Sequence, residues 1–166
     1  MRNSSESAGR KMLVVDAMLW VYNCDARAPE YENVHSWLEG EDGEGIINTQ
    51  EILISPIIVM EVVHNLRRRA RLPPQLVYDY VLKMLALKNV TTAPFEMNLL
   101  HASMHVFERY YENGIGGRDS TILATMLRRN ADTIATHDKN ILQITDFRRI
   151  DPTHHPPKIF DIGQSA

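Results

Sequence analysis

The chain has 166 residues, 44% hydrophobic and 23% charged, which suits one globular domain with its own core, and no second domain is expected. A formal charge of -3 excludes a uniformly basic nucleic-acid binder, and the single cysteine, Cys24, excludes an internal disulfide. With no signal-type amino terminus and no apolar run long enough to span a bilayer, a soluble cytoplasmic protein with no membrane partner is expected.

Residues 1–10 are polar, with Ser4, Ser5, Ser7 and Gly9, and are expected to form a disordered tail ahead of a domain over residues 11–151. Met12–Trp20 is an apolar run interrupted by Asp16. It predicts a central parallel strand with Asp16 at its carboxyl end, followed by a helix over residues 17–25. A second helix is predicted at Pro29–Leu38, then an acidic loop at Glu39–Gly45. Ile52–Ser55 reads as a buried strand, and Pro56 opens a helix that runs to about Arg71 and stops at Leu72-Pro-Pro74.

Gln75–Leu87 is helical, with Leu76, Tyr80, Met84 and Leu87 predicted to face the core. A short strand follows at Val90–Ala93, then a helix at Phe95–Tyr111 terminated by Asn113–Gly117, and a further helix at Arg118–Arg129. Thr133–Thr136 is the next strand, Asp138–Leu142 a short helix and Phe147–Ile150 a last strand. Residues 152–166 are expected to be a carboxy-terminal tail, with Lys158–Ile162 laid back on the domain. Met12, Met18, Met60, Met84, Met97, Met104 and Met126 are read as core filler. Alternating strands and helices imply parallel strands joined by right-handed crossovers. The predicted fold is α/β, a three-layer α/β/α sandwich with a central parallel sheet.

Charge is unevenly spread. Glu30, Glu32, Glu39, Glu41, Asp42, Glu44 and Glu51 lie in a gap without Lys or Arg between Arg27 and Arg67, and without those seven the remaining chain is formally +4. The basic clusters are Arg67–Arg71, Arg118, Arg128-Arg129 and Arg148-Arg149, which serve a polyanion only if they share a face.

Asp16, Glu61, Asp119 and Asp138 each stand where a strand gives way to a helix or where a helix begins or runs. In an open α/β sheet such positions open into a crevice. Singly, Asp16 and Asp119 read as helix N-caps and Asp138 as turn chemistry. Glu61 lies in the apolar run Ile57–Val63, where a charge needs a metal or a polar pocket. Together, converging carboxylates repel, and a hard oxygen-loving cation, Mg²⁺ or Mn²⁺, relieves them. Such an ion in an open crevice suits phosphodiester hydrolysis, with Arg68 and Arg118 placed to hold backbone phosphates of the substrate.

His101 and His105 are spaced like a zinc-protease pair, but Ala102 replaces the glutamate that motif needs. They and the proline-flanked His154 and His155 are read as non-catalytic. No dinucleotide fingerprint or P-loop is present in the sequence.

Val14-Val-Asp16, Ser55 with Glu61, Arg118-Asp119-Ser120 with Leu123-Ala124, and Thr136-His-Asp138 match in order the pattern of the PIN domain family, best known for the VapC toxins. Over about Met12–Pro152 the chain resembles that family. The resemblance implies a Mg²⁺- or Mn²⁺-dependent endoribonuclease with Asp16, Glu61, Asp119 and Asp138 as catalytic metal ligands. It further implies Thr136 orienting the last aspartate, a small antitoxin protein as partner, and a homodimer. Ala17 and Met18 stand where members carry Thr or Ser and then Asn, which predicts less hydrogen-bonding support around Asp16. A stand-alone RNA-processing nuclease shares the same features. A module that binds RNA or protein and keeps the acids only as caps is the alternative from another class.

Overall fold

The computed structural model describes residues 12–166, so the tail expected at residues 1–10 lies outside the described residues. Six strands form one sheet in the order β3-β2-β1-β4-β5-β6: β1 Leu13–Val15, β2 Ile52–Ile54, β3 Val90–Thr92, β4 Thr133–Ala135, β5 Arg148–Asp151 and β6 Lys158–Phe160. The first five are parallel and β6 runs antiparallel to β5. Strands β1, β2 and β4 are buried along their whole length. That is why they read as unbroken apolar or small runs and not as alternating ones.

Among the described residues eight α-helices connect or cover these strands: α1 Ala17–Cys24, α2 Tyr31–Leu38, α3 Ile46–Thr49, α4 Pro56–Arg68, α5 Pro74–Leu85, α6 Met97–Tyr110, α7 Gly117–Arg129 and α8 Lys139–Leu142. Helix α1 packs on α2 and α4, α4 on α5, and α6 on α7. Right-handed crossovers put the helices between β1 and β3 on one face of the sheet, and those between β3 and β5 on the other. The α/β/α sandwich expected from the sequence is therefore the fold observed. None of the helices among the described residues is long and apolar enough to cross a membrane.

The structure departs from the sequence reading in four places. The one-turn helix α3 follows the acidic loop unannounced, because four residues carry too little periodicity to signal a helix. In α5 the buried face is Val77, Val81 and Met84, while Leu76 is exposed. Of the predicted core face, Met84 is buried and Tyr80 and Leu87 pack partly buried against the core, so Leu76 alone is misplaced. Met60, Met97 and Met104 lie on the surface and are not core filler, whereas Met84 and Met126 are buried as expected.

The last departure concerns the carboxy-terminal segment. Beyond Asp151, where a tail is predicted, the chain turns back and Lys158–Phe160 pairs with β5. Arg149, read as part of a basic surface cluster, is wholly buried beneath this return. Its guanidinium donates to the carbonyls of Leu142 at 3.2 Å, Phe147 at 2.7 Å, Asp161 at 3.2 Å and Gln164. A buried cation is tolerable only with such complete hydrogen bonding.

Candidate active site

From β1 the chain steps outward to β2 and β3 on one side, then returns to β4 on the other side of β1. The carboxyl ends of β1 and β4 thus flank the point where the winding reverses, the usual place for a ligand crevice in open α/β sheets. Asp16 follows β1, and Thr136 and Asp138 follow β4.

Asp16 extends the β1 ladder, its N–H bonding the Ala135 carbonyl at 2.9 Å, and then caps α1. It is only 8% exposed. Its Oδ1 accepts from the Ala17 N–H at 2.6 Å and its Oδ2 from the Thr136 hydroxyl at 2.6 Å. The same Thr136 oxygen accepts from the Asp138 N–H at 3.0 Å. Thr136 was expected to orient the last aspartate. Its hydroxyl instead donates to the first, while its oxygen anchors the backbone of the last. The polar support missing at Ala17 and Met18 is thus supplied from across the sheet by β4.

Burial pushes the Asp16 carboxyl up to about 6. The bonds from Thr136 and Ala17 pull the other way, and the charges of Asp119 and Asp138 add to the rise. Glu61 sits on α4 beside the buried stripe of Ile58, Val62 and Leu66. Its Oε1 meets Arg118 Nη1 at 2.7 Å. Even so its carboxyl is pushed up to about 7. Burial and the charges of Asp16, Asp119 and Asp138 outweigh the guanidinium.

Asp119 lies in the first turn of α7, where its Oδ2 accepts from the Gly116 N–H at 3.2 Å. Burial raises its carboxyl, with Asp138 adding to the rise and the Gly116 bond and Arg118 opposing it. Asp138 caps α8, its Oδ1 accepting from Asn140 N at 2.7 Å and Ile141 N at 3.3 Å. The four acids therefore lie within electrostatic reach of one another. Among the described residues, however, no three His, Cys, Asp or Glu side chains form a ready metal shell.

The donor set fits a hard divalent ion. It is all oxygen, and burial combined with mutual repulsion disfavours the charge that a dication would stabilise. Arg118 is the cation in place at Glu61. Arg68, the other predicted phosphate holder, is exposed in the last turn of α4, about 10 Å along the axis from Glu61.

One cluster beside the crevice escaped the sequence reading. Asp151, at the end of β5, is buried, and its Oδ2 lies 3.0 Å from His137 Nδ1 and 3.6 Å from His154 Nε2. Thr153 donates to Asp151 Oδ1 through its N–H at 3.1 Å and its hydroxyl at 2.7 Å. These bonds and His137 hold the Asp151 carboxyl below its ordinary range despite burial. The sequence places His154 in a proline-flanked carboxy-terminal tail. Only the return of the chain along β5, which the sequence signals weakly, brings it here.

An open, largely parallel sheet with carboxylates gathered at its switch point defines the class: an α/β domain with an acidic crevice. The family profile described as PIN domain matches residues 13–147, and the chain belongs to that family. No curated protein matches it in sequence.

Among solved structures the chain is similar to Mycobacterium tuberculosis VapC20, described as a sarcin-ricin loop cleaving toxin. That match has 13% identity and a TM-score of 0.59, over 74% of this chain and 86% of that one. It is also similar to a chain of Rickettsia felis VapBC2, solved with a DNA fragment from the promoter, at 16% identity and a TM-score of 0.58, over 83% and 96%. A chain of Neisseria gonorrhoeae FitAcB matches at 18% identity and a TM-score of 0.58, over 86% and 99%. At these identities the likeness is one of fold.

Proposed function

We propose that the protein is a metal-dependent endoribonuclease, the toxin of a toxin–antitoxin pair, with Asp16, Glu61, Asp119 and Asp138 holding Mg²⁺ or Mn²⁺. Membership of the PIN family supports the reading, as does the likeness in fold to a toxin described as cleaving the sarcin-ricin loop. The observation that carries it is the Asp16–Thr136–Asp138 chain of hydrogen bonds at the switch point, with Asp119 and Glu61 within range of both acids. A buried carboxylate needs donors in any setting; what favours a cation here is that four acids raise or feel one another's charge in one crevice.

Held by these four acids, a hard divalent ion would supply a lowered water pKa and polarisation of the phosphoryl group. The chain's own residues do the rest. Thr136 and the Ala17 N–H fix the Asp16 carboxylate in one orientation. The α8 N-terminus does the same for Asp138. Arg118, freed from Glu61, takes a phosphate of the RNA backbone, and Arg68 holds the strand further along α4. Water attacks phosphorus in line and the 3′-oxygen leaves, giving a 5′-phosphate and a 3′-hydroxyl. A small antitoxin closes the crevice, the active form is a homodimer, and the protein works in the cytoplasm.

The test is cleavage of a structured RNA in Mn²⁺, with EDTA and with Asp119→Asn. Chelation and the substitution each abolish cleavage on this reading. Cleavage indifferent to both defeats it. One observation favours a non-catalytic binding module: Arg118 already pairs with Glu61 at 2.7 Å. Under that second reading millimolar Mn²⁺ leaves the melting temperature unchanged, whereas a nuclease site is stabilised by binding linkage.

A further inference from the structure

The hydrolysis described above makes no use of the ribose 2′-hydroxyl. Water attacks phosphorus, the 3′-oxygen leaves, and a cation held by four carboxylates addresses phosphate oxygens alone. Arg118 and Arg68 are suited to phosphate as well. Nothing in that set distinguishes RNA from DNA, so a preference for RNA needs a further group that touches the 2′-hydroxyl. Such a group must be polar, fixed in orientation, open to solvent and next to the acids.

His137 meets each condition. It lies in the chain between Thr136, whose hydroxyl donates to Asp16, and Asp138, whose N–H donates to that same hydroxyl. Its ring reaches across to the end of β5, where Nδ1 is 3.0 Å from Oδ2 of the buried Asp151 and 3.0 Å from the Thr153 hydroxyl oxygen. That hydroxyl gives its own proton to Asp151 Oδ1 at 2.7 Å. Both neighbours of Nδ1 therefore accept, and the ring hydrogen sits on Nδ1. This tautomer leaves Nε2 with a lone pair, an acceptor for a hydroxyl. Among the described residues Nε2 meets no partner, and the side chain is 37% exposed.

The ring spans the gap between the ends of β4 and β5, one gap beyond the place between β1 and β4 where Thr136 meets Asp16. With strands about 4.8 Å apart, it stands roughly one strand spacing from that bond. A nucleic-acid strand advances about 3.4 Å per stacked nucleotide, so the ribose within reach flanks the cut. A mere staple between the end of β4 and the turn after β5 would need Nδ1 alone. Asparagine would serve for that, and the second nitrogen of an imidazole would be superfluous.

We propose that His137 Nε2 accepts a hydrogen bond from the 2′-hydroxyl of a nucleotide beside the scissile phosphate and so selects RNA, with Asp151 and Thr153 as positioning residues. The proposal rests on the nuclease reading for where the substrate lies.

The probes are a short fluorescein-labelled RNA and its uniformly 2′-fluoro counterpart, which keeps the size and pucker of the ribose but has no proton to donate. In Mn²⁺ the parent chain is expected to cleave the RNA with a kcat/KM about fivefold higher, the worth of one hydrogen bond. In EDTA at low salt, fluorescence anisotropy is expected to show a similar preference in Kd. His137→Asn keeps an N–H for Asp151 and lacks Nε2. It is expected to melt with the parent and to treat the two probes alike. A parent that binds the two probes alike in EDTA overturns the proposal, and so does a His137→Asn variant that keeps the parent's preference. The comparison on the parent needs no substitution, so a variant that fails to fold does not shelter the proposal. Failure of the nuclease reading looks different: neither probe is cut, or both are cut regardless of EDTA and Asp119→Asn, while binding in EDTA still decides for or against His137.

Discussion

Neutralising Asp16 should stabilise the metal-free protein at neutral pH while removing its metal response. A carboxyl moved from its ordinary 3.8 up to about 6 binds its proton more tightly folded than unfolded. Its contribution to stability is therefore whole below pH 3.8 and is lost as the pH climbs through about 6. Holding it ionised above that range costs the fold about 3 kcal/mol. Asp16→Asn removes that cost, keeps an acceptor for the Ala17 N–H and weakens the bond with Thr136. About 2 kcal/mol remains, or about 4–8 °C in melting temperature for a chain of this size.

The assay is thermal melting in EDTA from pH 4.5 to 8, then at pH 7.5 with Mn²⁺. The parent should lose stability as the pH rises through this range, because Glu61, raised from 4.5 to about 7, adds to the loss. Asp16→Asn should melt higher than the parent at pH 7.5, the gap narrowing towards pH 4.5. Mn²⁺ at a hundred times its dissociation constant should recover about 2.7 kcal/mol in the parent and much less in the variant. Asp16→Asn melting at or below the parent at pH 7.5 in EDTA would refute the claim that the Asp16 charge is held at a cost.

Three further outcomes can be checked together. Arg118→Gln removes the guanidinium 2.7 Å from Glu61, and calorimetry at pH 8.5 should show Mn²⁺ binding about tenfold tighter; weaker binding would mean that Arg118 supports the site and does not compete for it. Thr136→Val removes the donor to Asp16 and the acceptor for the Asp138 N–H, and urea melts should show a loss of about 1–3 kcal/mol that Thr136→Ser largely restores. Arg149→Met strands the carbonyls of Leu142, Phe147, Asp161 and Gln164, and should cost about 3 kcal/mol, with fastest amide exchange at β6; a loss below about 1 kcal/mol would show that the carbonyls find other donors.

The sheet was legible because its strands are buried on both faces. Leu13–Val15 and Ile52–Ile54 cannot be written with polar residues, and Pro56 marks the start of α4 without ambiguity. The acids were legible by position, since Asp16 and Asp138 must do something at the ends of β1 and β4. What stayed hidden depends on partners distant in sequence. The burial of Arg149 depends on β6, which a proline-rich segment conceals. Charge counting placed Arg149 on the surface because composition records what a side chain is and not what is laid over it.

The same limit governed Thr136. As a β-branched residue ending a strand, it is explained by β propensity alone, and its hydroxyl shows a role only once β1 and β4 are known to be neighbours. That adjacency follows from the strand order, in which β4 returns to the free side of β1. A residue 120 positions from Asp16 can thereby replace the polar neighbours that Ala17 and Met18 do not supply. For Asp16 the side-chain support lies at the end of the adjacent parallel strand, whereas Asp151 finds its own in Thr153, two residues along the chain. Asp16 and Asp138 are bound into one unit by a single hydroxyl, so displacing Thr136 should disturb both acids together.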